Sequence, residues 1–473
     1  MNFSSLPADE RGGGTRRGFS SFAGISILFV FLLLISIPAV PAAPGEGNSS
    51  GFGGRVREPD SFEASFSCST CHMKIYQQFS RSMHDSSFIN PFFQKMYFDI
   101  LLTRYAEDEW LAEEVKNCMA CHSPVAYLGG ERIITSPQEL DSESSGVECD
   151  ICHRITGYKG DKPGGGNYLA VPGMKKFGPY PQQSEWHHAY AELQTKSEFC
   201  AICHNRVNRF GLEIIATFTE WQRSRYAAKG IQCQDCHMNR MGFLTGGKAI
   251  YESGQASQNS LAVSPVRERL YTHRFPGAHS RSQVEGAIRL EIRAGDAVFV
   301  PGEESVITVI IDNSRSGHKL PTGTAELRLL YLDLEAVAGE RRISLIPNSR
   351  SREKYDVSGT GKYDAETLGE GFPPGKRIYR AICVDPEGRP TNYSFDAEKI
   401  IFDNRLEADE VRKEFFLFRV PPDIGPEFVL TAKLFYIRYP DAFALEHGMQ
   451  PAERIELASD HKLVALKPGM PNN

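Results

Sequence analysis

Ten of the eleven cysteines fall into five copies of one spacing, each closed by a histidine. The copies are Cys68-Ser69-Thr70-Cys71-His72, Cys118-Met119-Ala120-Cys121-His122, Cys149-Asp150-Ile151-Cys152-His153, Cys200-Ala201-Ile202-Cys203-His204 and Cys233-Gln234-Asp235-Cys236-His237. Cys-x-x-Cys-His is the pattern that attaches c-type heme. Its two thiols add to the two porphyrin vinyl groups as thioethers, and one helical turn between them matches the ring edge. The adjoining histidine then reaches the iron as its proximal ligand. Zinc sites share the paired cysteines but do not require a histidine after every second one. A thioredoxin-type redox motif has the same spacing, but five copies serve no purpose there. Structural disulfides would not repeat one spacing. The expected cofactor is therefore heme c, five groups, covalently attached. Cys383 alone lies outside the pattern and reads as a small buried core residue.

Each iron has a second axial position. A strong ligand there favours electron transfer, and an open position favours chemistry. Thirteen histidines are present. Outside the motifs stand His84, His187, His188, His273, His279, His318, His447 and His461. His84 follows His72 through MKIYQQFSRSM, which lacks Gly and Pro. As helix that stretch spans roughly 18 Å, so His84 must serve a neighbouring heme and not its own. His187 and His188 precede the fourth motif; one is expected to ligate, with His187 favoured. His273 and His279 follow the fifth motif, and either suits a ligand. His318 stands in Gly317-His318-Lys319-Leu320-Pro321-Thr322-Gly323. Glycine before it permits close approach of backbone to porphyrin, and Pro321 stiffens the turn behind it. His447 and His461 lack such framing and read as solvated. Met73, Met119 and Met238, beside motif residues, read as packing against the rings. No catalytic residue is assigned.

Arg11, Arg16 and Arg17 precede an apolar run from Phe22 to Ile37, followed by the small residues Ala39–Ala43. This is the layout of a secretory signal peptide, with cleavage expected after Ala42. The alternative is an uncleaved anchor, for which the run is short. Thr15–Phe19 resembles a degenerate twin-arginine signal. General secretion is favoured, because heme is attached to an unfolded chain outside the cytoplasm. The expected location is periplasmic or extracellular.

Beyond the motifs, TKSEFCAICHNRV (195–207), YAAKGIQCQDCHM (226–238), THRFPG (272–277) and GHKLPTG (317–323) resemble segments of multiheme cytochromes c. Those are cytochromes of anaerobic and nitrogen-cycle bacteria, including the tetraheme electron acceptor of hydroxylamine oxidation. The resemblance spans roughly residues 62–330. It implies hemes packed in alternating parallel and perpendicular pairs, most of them bis-histidine. A member similar to the ammonia-forming nitrite reductases would usually carry Lys in one motif; here all five end in His.

These elements must position the hemes. The fold class expected is α+β. An irregular, mainly α pentaheme domain over 62–283 is followed by an immunoglobulin-like β-sandwich over 284–465. Residues 1–42 are the signal peptide and 43–61 a linker containing the Gly/Ser stretch Gly45–Gly54. Helices are expected at the motifs, over His72–His84 and over Asp99–Cys118, with Gly157–Gly166 as a loop. Strands are expected around Ile288–Ile292, Phe299–Pro301, Val306–Ile311, Leu327–Val337, Ile378–Val384, Glu414–Val420 and Phe428–Tyr439.

Over 473 residues, 41% are hydrophobic and 24% charged, as in ordinary globular chains. A net charge of −6 gives no footing for nucleic acid. The leading expectation is an exported electron-transfer cytochrome. Its partners would be redox proteins: other cytochromes or a membrane quinol oxidoreductase. The alternatives are an oxidoreductase acting on a small nitrogen or sulfur compound at one five-coordinate heme, and a subunit of a homo-oligomer or filament.

Overall fold

A computed structural model describes residues 62–466, apart from 131–132, 142–143, 183, 185–186, 260–262, 295–298 and 349–354. The expected signal peptide and the linker up to residue 61 lie outside the described residues. The described residues all fall in one compact unit. No helix among the described residues is long and apolar enough to cross a membrane.

Short helices carry the motifs. The first spans Ser65–Phe79, with a break in helical geometry at His72 (φ −108°, ψ 36°). The break goes with the His72 ring, whose Nδ1 meets the Ala256 carbonyl at 2.8 Å. The helix runs on past this break but ends at Phe79, short of His84; turns follow, with the Met83 N–H donating to the Phe275 carbonyl at 2.9 Å. The helix expected over Asp99–Cys118 is also interrupted. A π-helical turn over Lys95–Leu101 passes into an α-turn ending at Tyr105. Asp108 then caps a fresh start, accepting from the Trp110 N–H at 3.0 Å, and Ala112–His122 completes the second motif. Asp and Asn favour this capping role over helix interiors.

Four two-stranded ribbons interleave these helices. The first, Ile155–Tyr158 with Tyr168–Ala170, frames the expected glycine loop. Gly166 in that loop has φ +76°, and a Cβ there would meet the Ala120 side chain at 2.6 Å. Only glycine lets the loop press against the second motif helix. The loop also donates from the Gly166 and Gly165 N–H groups to the Ile202 (2.7 Å) and Asn205 (2.8 Å) carbonyls beside the fourth motif.

Two antiparallel sheets follow. The smaller joins Val411–Arg419, Glu304–Asp312 and Arg289–Arg293, in that order. The larger is centred on Arg377–Val384, Leu329–Ala338, Glu427–Ile437 and Ile455–Ala465. Phe416 and Phe418 of the first sheet share one apolar core with Leu332, Leu334, Leu430 and Leu434 of the second. The last strand, Ile455–Ala465, was not among those expected, and Phe299–Pro301 is not a strand.

All eight residues of Arg377–Val384 are buried, with no alternation. A sheet with one wet face would alternate. Here the motif-bearing segment covers the outer face. Phe93, Tyr97 and Val115 form one cluster with Leu329, Ile378 and Phe443, and Ile214 meets Cys383 and Ala397 in another. The two parts share cores across the expected boundary at residue 284.

Candidate functional site

A connected cavity of about 1570 Å³ runs through the motif-bearing segment. At least one Cys and the His of every motif line it, as do His84, His187, His273, His279 and His318.

Four motif histidines each face one of these. The ring centres of His72 and His187 are 6.0 Å apart, and those of His204 and His84 are 6.1 Å apart. His153 and His273 stand at 6.3 Å, and His237 and His318 at 6.4 Å. First-row metal–imidazole bonds are about 2 Å, and each nitrogen lies about 1 Å from its ring centre, so two imidazoles sharing one metal have centres about 6 Å apart. The residues therefore fit bis-imidazole iron at four places. The rings are close to parallel in the His237–His318 (13°) and His153–His273 (27°) pairs. They are crossed in the His204–His84 (55°) and His72–His187 (59°) pairs.

Hydrogen bonding at the other nitrogen fixes which atom faces inward. The Nδ1 of His72, His122, His153 and His318 reaches the carbonyl of Ala256 (2.8 Å), Ser87 (3.0 Å), Phe177 (2.6 Å) and Lys319 (2.9 Å). An Nδ1–H donated to a carbonyl leaves Nε2 free to ligate. Burial also pushes His84 and His273 down to about 3, and His122 and His237 down to about 4. Imidazole is thereby held in its neutral, ligating form.

His122 has no second histidine ring opposite it among the described ring contacts. Phe93 stacks on its face at 4.1 Å instead and buttresses the ring from the side. His279 lines the cavity but stands opposite no motif histidine among those contacts; Arg438 and Arg328 press on it. His188 starts a short strand, and its Nε2 meets the Tyr180 carbonyl at 2.8 Å. His461 is exposed on the last strand. His447, expected to be solvated, is instead packed against Phe443 at 4.6 Å with its Nε2 2.8 Å from the Tyr393 hydroxyl. Met238 lines the cavity as expected. Met119 is buried in the neighbouring apolar core, and Met73 is 50% exposed, so neither takes the expected place.

Sulfurs of different motifs are neighbours: Cys68 with Cys149, Cys121 with Cys203, and Cys200 with Cys233. The first motif thus adjoins the third, the second the fourth, and the fourth the fifth.

The loop bearing His318 is held from both sides. Leu320 and Leu406 exchange backbone hydrogen bonds at 2.9 Å. Thr322 donates to Glu220 at 2.6 Å, and Glu220 pairs with the buried Arg405 at 3.0 Å. Gly317 packs against Trp221 and Tyr226, which line the cavity. Deeper in, Arg206 pairs with Glu114, and both are buried. Arg206 also donates to the Ser394 hydroxyl at 2.9 Å. Glu326 lines the cavity too, buried and not singled out in the sequence.

Comparison with known proteins adds two findings. The family described as "Cytochrome c554 and c-prime" matches residues 67–154. A penta-heme cytochrome c552 from Thermochromatium tepidum superimposes with a TM-score of 0.57 at 19% identity, covering 86% of this chain and 100% of that one. The major pilin SpaD from Corynebacterium diphtheriae, at 12% identity over 38% of this chain and 34% of that one, reaches a TM-score of only 0.18, too low to carry an argument. No curated protein matches. The matched segment covers the first three motifs, and the superposition shows a fold shared with a penta-heme cytochrome.

Proposed function

We propose that the chain is an exported pentaheme electron-transfer cytochrome. Ten motif cysteines hold five hemes: Cys68 and Cys71, Cys118 and Cys121, Cys149 and Cys152, Cys200 and Cys203, Cys233 and Cys236. His72, His122, His153, His204 and His237 are the proximal ligands. His187, His273, His84 and His318 complete the first, third, fourth and fifth sites. The observation that carries the reading is the four imidazole pairs at 6.0–6.4 Å. Bound heme supplies one-electron redox chemistry. The chain fixes ring spacing and sets each potential through ligand, burial and hydrogen bonds. The neighbouring sulfurs give an order of passage, first to third, and fourth to second and fifth. The contact between the third and fourth rests on Cys152, which lies near both Cys200 and Cys203. Redox proteins at either end of this series are the partners.

Mass and spin state test this. The mature chain should carry five added hemes. Low-temperature electron paramagnetic resonance should show four low-spin hemes in two classes, because the angle between the two rings sets the splitting of the iron d orbitals. Free thiols at a motif, or a majority of high-spin iron, would overturn the assignment.

His318→Ala should convert one low-spin heme to high spin. It should also speed proteolysis around Val284, since the loop ties the sheets to the motif-bearing segment. An unaltered spectrum with unaltered proteolysis removes His318 as a ligand.

A second reading is favoured by His122, which has no opposing histidine ring among the described ring contacts. An open iron there would make the chain an oxidoreductase for a small nitrogen or sulfur compound. Nitrite or hydroxylamine should then shift the one high-spin signal. A five-coordinate signal indifferent to both leaves electron transfer alone.

A further inference from the structure

Glu326 sits between the loop that carries His318 and the strand Leu329–Ala338. It is 3% exposed and lines the cavity, and its Oε2 has no hydrogen-bond partner. A carboxylate oxygen removed from water without a partner disfavours the charged form. Three guanidinium groups act on it from Arg206, Arg328 and Arg405. Each is engaged elsewhere. Arg206 pairs with Glu114, and Arg328 donates to the Thr322 carbonyl at 2.7 Å. Arg405 holds Asp403, Glu220 and the Pro321 carbonyl. The remaining ionisable neighbour is the buried Cys383 thiol, pushed up to about 12 by burial and so uncharged. Burial outweighs the three cations, and the carboxyl is raised to about 7.

Arg206 also ties Glu326 to the redox centres. It acts on Cys118 and Cys121 of the second motif and follows His204 of the fourth by two positions.

We propose that Glu326 takes up a proton when an adjacent heme is reduced, so that electron entry is coupled to proton entry. This rests on the reading that hemes fill the cavity. The balance is simple. One electron from a one-electron donor takes one iron from ferric to ferrous, and one proton leaves a buffer acid, which becomes its conjugate base, and joins the Glu326 carboxylate. No other bond changes. The positive charge of a ferric centre favours the carboxylate, and the arriving electron removes that charge. By linkage, the protonated carboxyl eases reduction of the same iron by the same factor. Glu326 binds its proton more tightly in the reduced state, so the midpoint potential falls as pH rises through the interval between its two acidities. The slope has a ceiling of about 59 mV per pH unit, the one-electron equivalent of a tenfold change in proton activity.

Spectroelectrochemical titration of the holoprotein with dithionite, from about pH 5.5 to about pH 8.5, tests this around the raised acidity. In the wild type at least one heme potential should fall across the neutral range. Glu326→Gln should abolish that slope while retaining the full heme mass, and Glu326→Asp should restore it. A slope unchanged in Glu326→Gln overturns the proposal and assigns the proton to the porphyrin propionates. Potentials flat with pH in the wild type overturn it without any variant. If Glu326→Gln does not load its hemes, Glu326→Asp decides: a displaced pH window supports the proposal and an unmoved one defeats it. A wild-type protein lacking hemes would instead defeat the underlying reading, and its mass reveals that separately.

Discussion

Arg206→Ala should lower the stability of the holoprotein by about 3–5 kcal/mol, the cost of leaving one member of a buried ion pair alone. Glu114 would remain, buried, with its main counter-charge gone. It would keep the Arg209 backbone N–H at 3.0 Å, which cannot replace a guanidinium. The Arg206 bond to Ser394 would go as well, loosening the motif-bearing segment from the sheets. Guanidinium denaturation of the heme-loaded chain reads the change as a lowered midpoint. Arg293→Ala is the contrast. Arg293 and Glu291 form an exposed pair on one strand, screened by water, and its loss should leave the midpoint where it was. Equal midpoints for Arg206→Ala and wild type would show that the buried pair holds nothing together.

A larger effect is expected from withholding heme. Produced without heme attachment, residues 62–283 should fail to fold and should be digested rapidly under conditions where the loaded protein resists. The reason is volume. A cleft of about 1570 Å³ left unfilled strips its apolar lining of packing partners, a loss set against a domain's whole stability of about 5–15 kcal/mol. The apolar cluster among the motifs, Phe62, Ile151, Ile155, Tyr168 and Ile202, is small. The porphyrins must supply most of the apolar contact there. The sheets have their own core and are expected to keep their strand signature in circular dichroism. A protease-resistant, cooperatively unfolding apoprotein over residues 62–283 would contradict this.

The chemistry was easier to read in the sequence than the architecture. Five motifs are local, because a thioether pair and its histidine must lie within one helical turn. His84, His187, His273 and His318 were recognisable as candidates, but not their partners. His84 faces His204 and His318 faces His237 through contacts between remote segments, which leave no spacing in the chain. The helix expected from His72 to His84 ran only to Phe79, because the stretch beyond it is held by a remote segment, the Met83 N–H donating to the Phe275 carbonyl at 2.9 Å. The strand Ile455–Ala465 was hidden by Ala458, Ser459 and Asp460, weak strand formers that the pairing with Glu427–Ile437 overrides. Ribbons such as Lys176–Gly178 with His188–Tyr190 are too short to show a period. Glu326 carried no signal, since a lone acid before an apolar strand is ordinary until its surroundings are known.

The crossing of ligands between distant segments bears on how the protein is made. In three of the four pairs the motif histidine comes first and its proposed partner later: His72 before His187, His153 before His273, His237 before His318. His204 alone meets a partner already delivered, His84. A chain threaded outward from its N-terminus would thus expose three attached irons on one side until downstream residues arrived. The first site has both ligands outside once His187 emerges, the fourth follows with His204, the third with His273, and the fifth must wait for the sheet-bearing half. Completion of the hemes would then follow the timetable of export, with the first site as the earliest finished centre and the fourth close behind it.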